Sequence, residues 1–155
     1  MYIPTTQAPG ISLDRLEAVR FTAEMIPHVW GELMPMIERG LRHARGTMLL
    51  DEFRVMLLNG SATCFATIKY ARIELMLVVL PVDYATYRVA RILACSGRGL
   101  KEAAQFLDAL EAWALTQGCV EIEGWCRPAM VRMAQRLGWQ PKFTIISRNL
   151  RGKLQ

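Results

Sequence analysis

The chain has 155 residues, of which 52% are apolar and 21% charged, and its formal net charge is +5 at pH 7. This composition excludes a disordered chain, and the length suffices for one domain whose core needs no disulfide or metal to fold. No apolar run approaches the roughly 20 residues that a membrane-spanning helix requires. The N-terminus "MYIPTTQAPG" has neither a charged nor an apolar signal region, so we expect no secretion by a signal peptide.

Basic residues dominate the end of the chain. No acidic residue follows Glu123, whereas seven basic residues do: Arg127, Arg132, Arg136, Lys142, Arg148, Arg151 and Lys153. Such a surface suits nucleic acid, an acidic protein or a phosphorylated ligand, or it is simply solvated and balanced by acids elsewhere in the fold. Because no nucleic-acid motif accompanies it, a nucleic-acid partner is not favoured.

The cysteines indicate a reduced protein. The sequence has no CxxC pair, and its cysteines fall within apparent strands: Cys64, Cys95, Cys119 and Cys126. We therefore expect buried thiols in a reducing compartment, and we expect no metal site.

The first part of the chain predicts an arm, a strand and two helices. Residues 1–12 are expected to form an N-terminal arm and residues 13–155 a single domain. Residues 16–21 alternate as a strand does, and residues 23–45 have helical spacing that Pro27 and Pro35 are expected to break or kink. Thr47 is expected to cap a second helix over residues 48–58.

The remainder alternates between strands and helices. Periodicity predicts strands over residues 61–70, 72–80, 87–96, 119–126 and 142–150, and helices over residues 100–117 and 128–137. Three successive strands indicate an antiparallel meander, and the later strand–helix–strand step indicates a parallel crossover. The sequence therefore predicts an α/β fold, with a mixed central β-sheet flanked by helices on both faces in the order β-α-α-β-β-β-α-β-α-β.

One loop in this order has a pattern that phosphate-binding loops share. In "LACSGRGLKEAAQFL" a predicted strand leads through Gly97-Arg98-Gly99 into a predicted helix. Backbone N–H groups at a helix N-terminus can hold a phosphate, but a tight turn between a strand and a helix also needs glycine. The sequence leaves both interpretations open.

The element order and two stretches resemble the GCN5-related N-acetyltransferase (GNAT) family from about Leu16 to Leu150. These stretches are "RVARILACSGRGLKEAAQFLDALEAWALTQGC" and "PAMVRMAQRLGWQPKF". The resemblance implies that a loop of the form Gln/Arg-x-x-Gly-x-Gly/Ala holds the pyrophosphate of coenzyme A. It further implies that the pantetheine arm pairs with a splayed strand, where an acceptor amine attacks the thioester.

Carried onto this chain, the resemblance gives a partial match. Gly97 and Gly99 match the small positions of the loop, while Ala94 stands where the family has glutamine or arginine. Ala134 stands where the family often has a tyrosine general acid, and alanine cannot donate a proton. If acetyl-CoA binds, the resemblance places it at Ala94, Cys95, Gly97, Arg98 and Gly99.

The catalytic residue is left open among several candidates. Cys126 could donate a proton or attack, Tyr87 and its neighbour Tyr84 could reach the cleft, and Glu121 or Glu123 could act as a base. Each also has a structural interpretation, as a buried thiol, a packing ring or a solvated carboxylate. His28 and His43 are expected to have surface or capping roles.

Three functions follow as hypotheses. The leading one is a catalytically degenerate GNAT-like protein that needs no cofactor and serves as a structural or interaction component. The pattern "R-hydrophobic-L-x-x-x-G-R-x-L-x-E-A … LEAWA-x-x-QGC" resembles proteins encoded among bacteriophage virion genes, internal or head–tail components. This hypothesis predicts other protein chains as partners, in multiple copies, and a location in the cytoplasm or within a virion. The alternative is an acetyl-CoA-dependent N-acetyltransferase acting on an amine, and the third is a coenzyme A or nucleotide sensor.

Overall fold

The computed structural model of the chain describes residues 15–98 and 104–153. The chain divides into two compact units after Gly124. The described part of the first unit holds a five-stranded sheet of β1 (Glu17–Phe21), β2 (Thr63–Lys69), β3 (Arg72–Asp83), β4 (Arg88–Gly97) and β5 (Glu121–Gly124). Its helices are α1 (Ile26–Leu41), α2 (Leu50–Asn59) and α3 (Ala104–Thr116).

The sheet is mixed, and its strands lie side by side in chain order. β1 to β4 pair antiparallel, while β5 returns through α3 to pair parallel with β4. The predicted meander and the predicted parallel crossover are both confirmed. The arrangement follows from chain connectivity, because antiparallel strands can be joined by tight turns whereas a parallel neighbour needs a crossover.

Helices pack on both faces of this sheet, as the alternating pattern of β2 requires. Cys64 and Ala66 point into a core shared with α1 and α2, which includes Leu33 and Phe53. Phe65, between them in sequence, packs on the other face against Phe106 of α3, the two rings standing nearly perpendicular. The predicted α/β fold with a mixed sheet and helices on both faces is confirmed.

Two local predictions about the helices need correction. Helix α1 begins at Ile26, with Pro27 in its first turn, and continues through Pro35, so a break at Pro35 is wrong, whereas a kink there stays a prediction. The buried side chains of α1, among them Leu33 and Ile37, hold that face against the sheet. Helix α2 begins after Leu49 rather than after Thr47. The carboxylate of Glu52 accepts a hydrogen bond from the backbone N–H of Leu49 at 2.7 Å, so only half of a capping box is present.

The described part of the second unit contains one α-helix, α4 (Pro128–Arg136), and a 3-10 turn at Arg151–Lys153. Residues 139–150 form neither helix nor strand, so the strand predicted over 142–150 is wrong. The strand-like spacing of apolar residues is real, but a strand exists only where another strand pairs with it. The single domain predicted over residues 13–155 stays a prediction, and residues 1–12 lie outside the described residues. No helix in the part of the chain described here is long and apolar enough to cross a bilayer.

Candidate functional site

The second half of β4 is offset from its first half by a β-bulge. Opposite β3, Ala94 pairs with Val78 and Ile92 pairs with Val79, so that Leu93 has no partner of its own. As a result Leu93 and Ala94, although consecutive, both lie on the sheet face that α1 covers. A bulge of this kind bends the strand and increases its local twist.

The pairing between β4 and β5 stops just before this bulge. β5 pairs with Val89 to Ile92 only, and its last residue, Gly124, lies opposite Ile92. Among the described residues, no strand of the sheet pairs with Ala94 to Gly97 on that side, although β3 pairs with them on the other. An extended ligand can join such a strand edge through amide hydrogen bonds.

The strand ends at Gly97, where the backbone permits no side chain. The φ of Gly97 is 126°, and a Cβ built on it would overlap the carbonyl oxygen of Glu74 and the Cα of Leu75. The N–H of Arg98 donates to the same carbonyl at 2.8 Å, which fixes this close approach. Gly97 is therefore required by the strand ending itself, whether or not a ligand binds.

The predicted cofactor residues divide into three groups. Ala94 is buried, and helix α1 comes so close that a Cβ on Gly40 would lie 3.5 Å from the Ala94 Cβ. Cys95 and Arg98 are exposed, so their side chains can be reached from solvent. Gly99 lies outside the described residues, as do residues 100–103, so the predicted phosphate loop is described only up to Arg98.

A polar cluster joins β4 to β5 next to the bulge. Arg91 Nε donates to Glu123 Oε1 at 2.8 Å, with the two side chains only 23% and 13% exposed. The hydroxyl of Tyr84 donates to Glu123 at 2.8 and 3.0 Å from its two carboxylate oxygens. Arg91 Nη2 in turn donates to the Tyr84 oxygen at 3.0 Å. We call Tyr84, Arg91 and Glu123 the inter-strand cluster.

Sequence reasoning missed Arg91, the central residue of this cluster. Burial lowers the pKa of its guanidinium, but hydrogen bonds to Glu123 and Tyr84 raise it, and the pKa ends above its ordinary value. One sign of its role was visible in the sequence, since Arg91 interrupts the apolar run of β4 and a parallel partner strand contains Glu123. Glu123 accepts hydrogen bonds from both Tyr84 and Arg91 and so links β5 to β4 one residue before their pairing ends.

The other candidate residues have separate positions. The Tyr87 ring lies 5.1 Å from the Tyr84 ring, at the edge of the inter-strand cluster. Glu121 is exposed at the start of β5. Cys126 is exposed in the second unit, and Ala134 lies on α4.

The thiols are not all buried, contrary to expectation. Cys64 and Cys119 are buried, but Cys95 and Cys126 are exposed. Both histidines, His28 and His43, are exposed as well. Within the described residues no group of three or more histidine, cysteine, aspartate or glutamate side chains is placed to hold a metal ion.

A shallow cavity of about 250 Å³ lies away from the end of β4. It is lined by Arg20, Thr63, Pro81 and Trp113, among others. Pro81 lies opposite Ala90, near the start of β4, whereas Gly97 lies opposite Leu75. The cavity therefore contains none of the predicted cofactor residues.

Comparison with known proteins identifies the fold. No family model matches the chain, and no curated protein does. Solved structures do: a predicted acetyltransferase with acetyl-CoA from Clostridium acetobutylicum has a TM-score of 0.64 at 17% identity, over 88% of this chain and 97% of that one. An aminoglycoside N-acetyltransferase in complex with CoA has a TM-score of 0.64 at 15% identity, over 88% and 95% of the two chains. A ribosomal-protein-alanine N-acetyltransferase from Brucella melitensis biovar Abortus 2308 has a TM-score of 0.63 at 10% identity, over 87% and 99%.

The chain thus has the fold of the GNAT acetyltransferases, as the resemblance implied. The expectation that no cofactor is required is wrong, because structures similar to this one were solved with acetyl-CoA and with CoA.

Proposed function

We propose that this GNAT-fold chain is an acetyl-CoA-dependent N-acetyltransferase that acts on an amine acceptor. The observation that carries the proposal is that β5 ends opposite Ile92, just before the Leu93 bulge, whereas β4 continues to Gly97 with β3 as its strand neighbour.

The described residues fit this cofactor. The edge of β4 beyond Ile92 offers backbone N–H and C=O groups to the amides of a pantetheine arm. The exposed guanidinium of Arg98, at the end of the same strand, suits a phosphate group. When bound, the cofactor supplies the activated acetyl group. The protein supplies the strand edge of β4, the positive charge of Arg98 and the fixed position of β5.

Proton transfer is the step for which the chain offers no family-type residue. Ala134 has no proton to donate, and Glu123 already accepts hydrogen bonds from Tyr84 and Arg91. Cys126, Glu121 and Tyr87 stay proposals for this role, and each is tested by its own substitution. Positioning alone accelerates a bimolecular reaction greatly, so a modest turnover is compatible with the absence of a dedicated acid.

Titration calorimetry of the full chain with acetyl-CoA tests the binding step. We expect saturable binding, weakened about tenfold by Arg98→Ala, which is what the loss of one charge-assisted hydrogen bond of about 1.5 kcal/mol produces. Arg42→Ala is the matched control, since Arg42 is an exposed arginine at the end of α1. Gly97→Asp would be uninformative here because it disrupts the strand ending itself.

Turnover is tested separately, by thiol release with a panel of amines. The panel includes aminoglycosides and peptides with N-terminal alanine, the acceptors named for two proteins of similar structure. No heat of binding at millimolar acetyl-CoA would overturn the proposal. Binding without thiol release for any amine would instead favour the sensor hypothesis. The degenerate virion component stays a prediction, which no described feature favours.

A further inference from the structure

The shallow cavity of about 250 Å³ lies on the sheet face that α3 covers. Arg20 lies opposite Phe65 in the pairing of β1 with β2, and residues directly opposite one another in antiparallel strands share a face. Thr63 precedes Phe65 by two residues, so the alternation of the strand places it on this face as well. Pro81 follows Val79, the partner of Thr63, by two residues and joins them there. The register of three strands thus brings these side chains together beside the last turn of α3.

Arg20 provides the charge of this cavity. Of the residues that line it in the described part of the chain, Arg20 alone is charged. Its Nη1 donates to Thr63 Oγ1 at 3.4 Å, which is long for a hydrogen bond, and no carboxylate within residues 15–98 and 104–153 pairs with it. The Thr63 hydroxyl, in a residue only 7% exposed, donates at 3.4 Å to the carbonyl of Phe21. The guanidinium therefore has N–H donors available for a ligand.

Trp113 supplies an apolar wall of the cavity. Its ring packs against the ring of Phe65, with the centroids 5.5 Å apart and the planes inclined by 68°, which fixes the position of the indole. Pro81 adds a second ring, and Ala23 and Ala62 line the same cavity with methyl groups. Flat side chains of this kind favour a flat ligand, because rings gain contact area by stacking.

The size and the charge of the cavity restrict what it can hold. Its volume of about 250 Å³ corresponds to about eight water molecules at ~30 Å³ each, and so to a ligand with a similar number of non-hydrogen atoms. One guanidinium balances one negative charge, and its planar fork matches the two oxygens of a carboxylate. A phosphate dianion would need a second cation or free backbone N–H groups. The N–H of Ser61 already donates to Asn59 Oδ1 at 2.9 Å, and that of Ala62 to a carbonyl of α2 at 3.1 Å.

We propose that this cavity binds a small monocarboxylate with a flat apolar body, whose carboxylate pairs with Arg20 and whose body lies against Trp113. The site goes beyond the proposed acetyl transfer, because the cavity contains none of the predicted cofactor residues. Binding of the carboxylate and binding of acetyl-CoA at β4 are therefore tested independently, and the failure of one leaves the other standing.

Titration of the isotope-labelled full chain with benzoate, followed by NMR, tests the site. We expect saturable shifts of the Trp113 indole N–H and of the Thr63 and Gln117 backbone amides, since these residues line the cavity. Benzamide has the same shape without the charge, and it should bind about tenfold more weakly because it cannot form the charge-assisted hydrogen bonds. Shifts that do not saturate, equal binding of benzamide, or stronger binding of inorganic phosphate than of benzoate at the same signals would each overturn the proposal.

Matched variants test the role of Arg20 itself. Arg20→Gln should weaken benzoate binding about tenfold. Arg72→Gln is the control and should leave binding unchanged, because Arg72 is also exposed but lies opposite Lys69, at the other end of the pairing between β2 and β3. Gln117→Glu is a second variant, since it places a carboxylate in the lining of the cavity, where it should compete with benzoate for Arg20. Circular dichroism checks that each variant folds. An Arg20→Gln or Gln117→Glu variant that binds benzoate as tightly as the wild type does would contradict the proposal.

Discussion

The guanidinium of Arg91 and the carboxylate of Glu123 meet at 2.8 Å across the parallel pairing of β4 and β5, and both side chains are largely buried. The Tyr84 hydroxyl bonds to both of them, which satisfies groups that would otherwise be costly to bury. The pair lies one residue before the end of the pairing between the two strands, where Ile92 is opposite Gly124, so its loss should weaken this end of the pairing as well as stability.

Removing one member of this pair should destabilise the protein. Glu123→Ala leaves the Arg91 guanidinium largely buried without its carboxylate, and we expect a loss of about 3 kcal/mol in the free energy of unfolding. Replacing both partners, as Arg91→Met with Glu123→Leu, should recover most of that loss because no charge is then left unpaired. Urea unfolding of the single and double variants measures the difference.

The ion pair between Arg88 and Asp83 is the control for this comparison. Its Nε–Oδ1 distance is 2.7 Å, but its side chains are 40% and 69% exposed, so solvent screens it. Arg88→Met should therefore change stability much less than Glu123→Ala. Equal effects at the two sites would contradict a special role for the inter-strand cluster.

Gly97→Ala should destabilise the chain by at least about 2 kcal/mol, since it combines a strained backbone with a steric overlap. The Cβ would overlap the Glu74 carbonyl that binds the Arg98 N–H. Gly31→Ala is the control, because nothing lies within 4 Å of a Cβ built there, and a helical Gly→Ala change stabilises by about 1 kcal/mol. Thermal unfolding of both variants should show shifts of opposite sign.

Leu49→Ser should stabilise helix α2. The leucine side chain cannot accept a hydrogen bond from the helix N-terminus, whereas serine at this position would complete a capping box with Glu52. A gain of about 1 kcal/mol in the free energy of unfolding is expected. The same change in a Glu52→Ala background should gain less, and an equal gain in both backgrounds would argue against the capping mechanism.

Thiol labelling should divide the cysteines into two classes. Burial raises the pKa of Cys64 from its ordinary 9.0 to about 12, and burial likewise raises the pKa of Cys119. At pH 8 the native protein should therefore react quickly with an alkylating reagent at Cys95 and Cys126 only, and at all cysteines once unfolded. Mass spectrometry of labelled peptides identifies the sites, and fast labelling of Cys64 would contradict its burial.

The same pKa has a consequence for stability. The folded state holds the Cys64 proton more tightly than the unfolded state does. The contribution of this thiol to the free energy of unfolding is therefore fully present below about pH 9. It should decline as the pH rises from 9 towards 12. In Cys64→Ala, the free energy of unfolding should therefore decline less between pH 9 and pH 12. Its pH dependence below pH 8 should be unchanged.

Much of the fold could be predicted because burial imposes a period on the sequence. The alternation of β2 and the helical spacing of α3 reflect the two faces on which they pack, and both elements were predicted close to their observed bounds. The segment over 142–150 shows the limit of this reasoning, because periodicity reports that a strand could form but not which edge would pair with it.

The site was less predictable because it depends on register. Nothing in "RVARILACSG" shows that Leu93 is the extra residue, since a bulge is fixed by how β4 lies on β3. The Arg91–Glu123 pair likewise requires knowing that these residues are opposite one another in parallel strands. The turn at Tyr70 and Ala71 adopts positive φ without the glycine or asparagine that would have indicated it.

Because Leu93 is the extra residue of the bulge, it can be deleted without changing which residues of β4 and β3 lie opposite one another. With Leu93 deleted, Ile92 and Ala94 would become neighbours that still face opposite sides of the sheet and still lie opposite Val79 and Val78. Every other side chain of β4 would keep its present surroundings, and only the bend would disappear. The pairing of the sheet and the bend in β4 are therefore independent of one another, and deletion of Leu93 should remove the bend and keep the pairing.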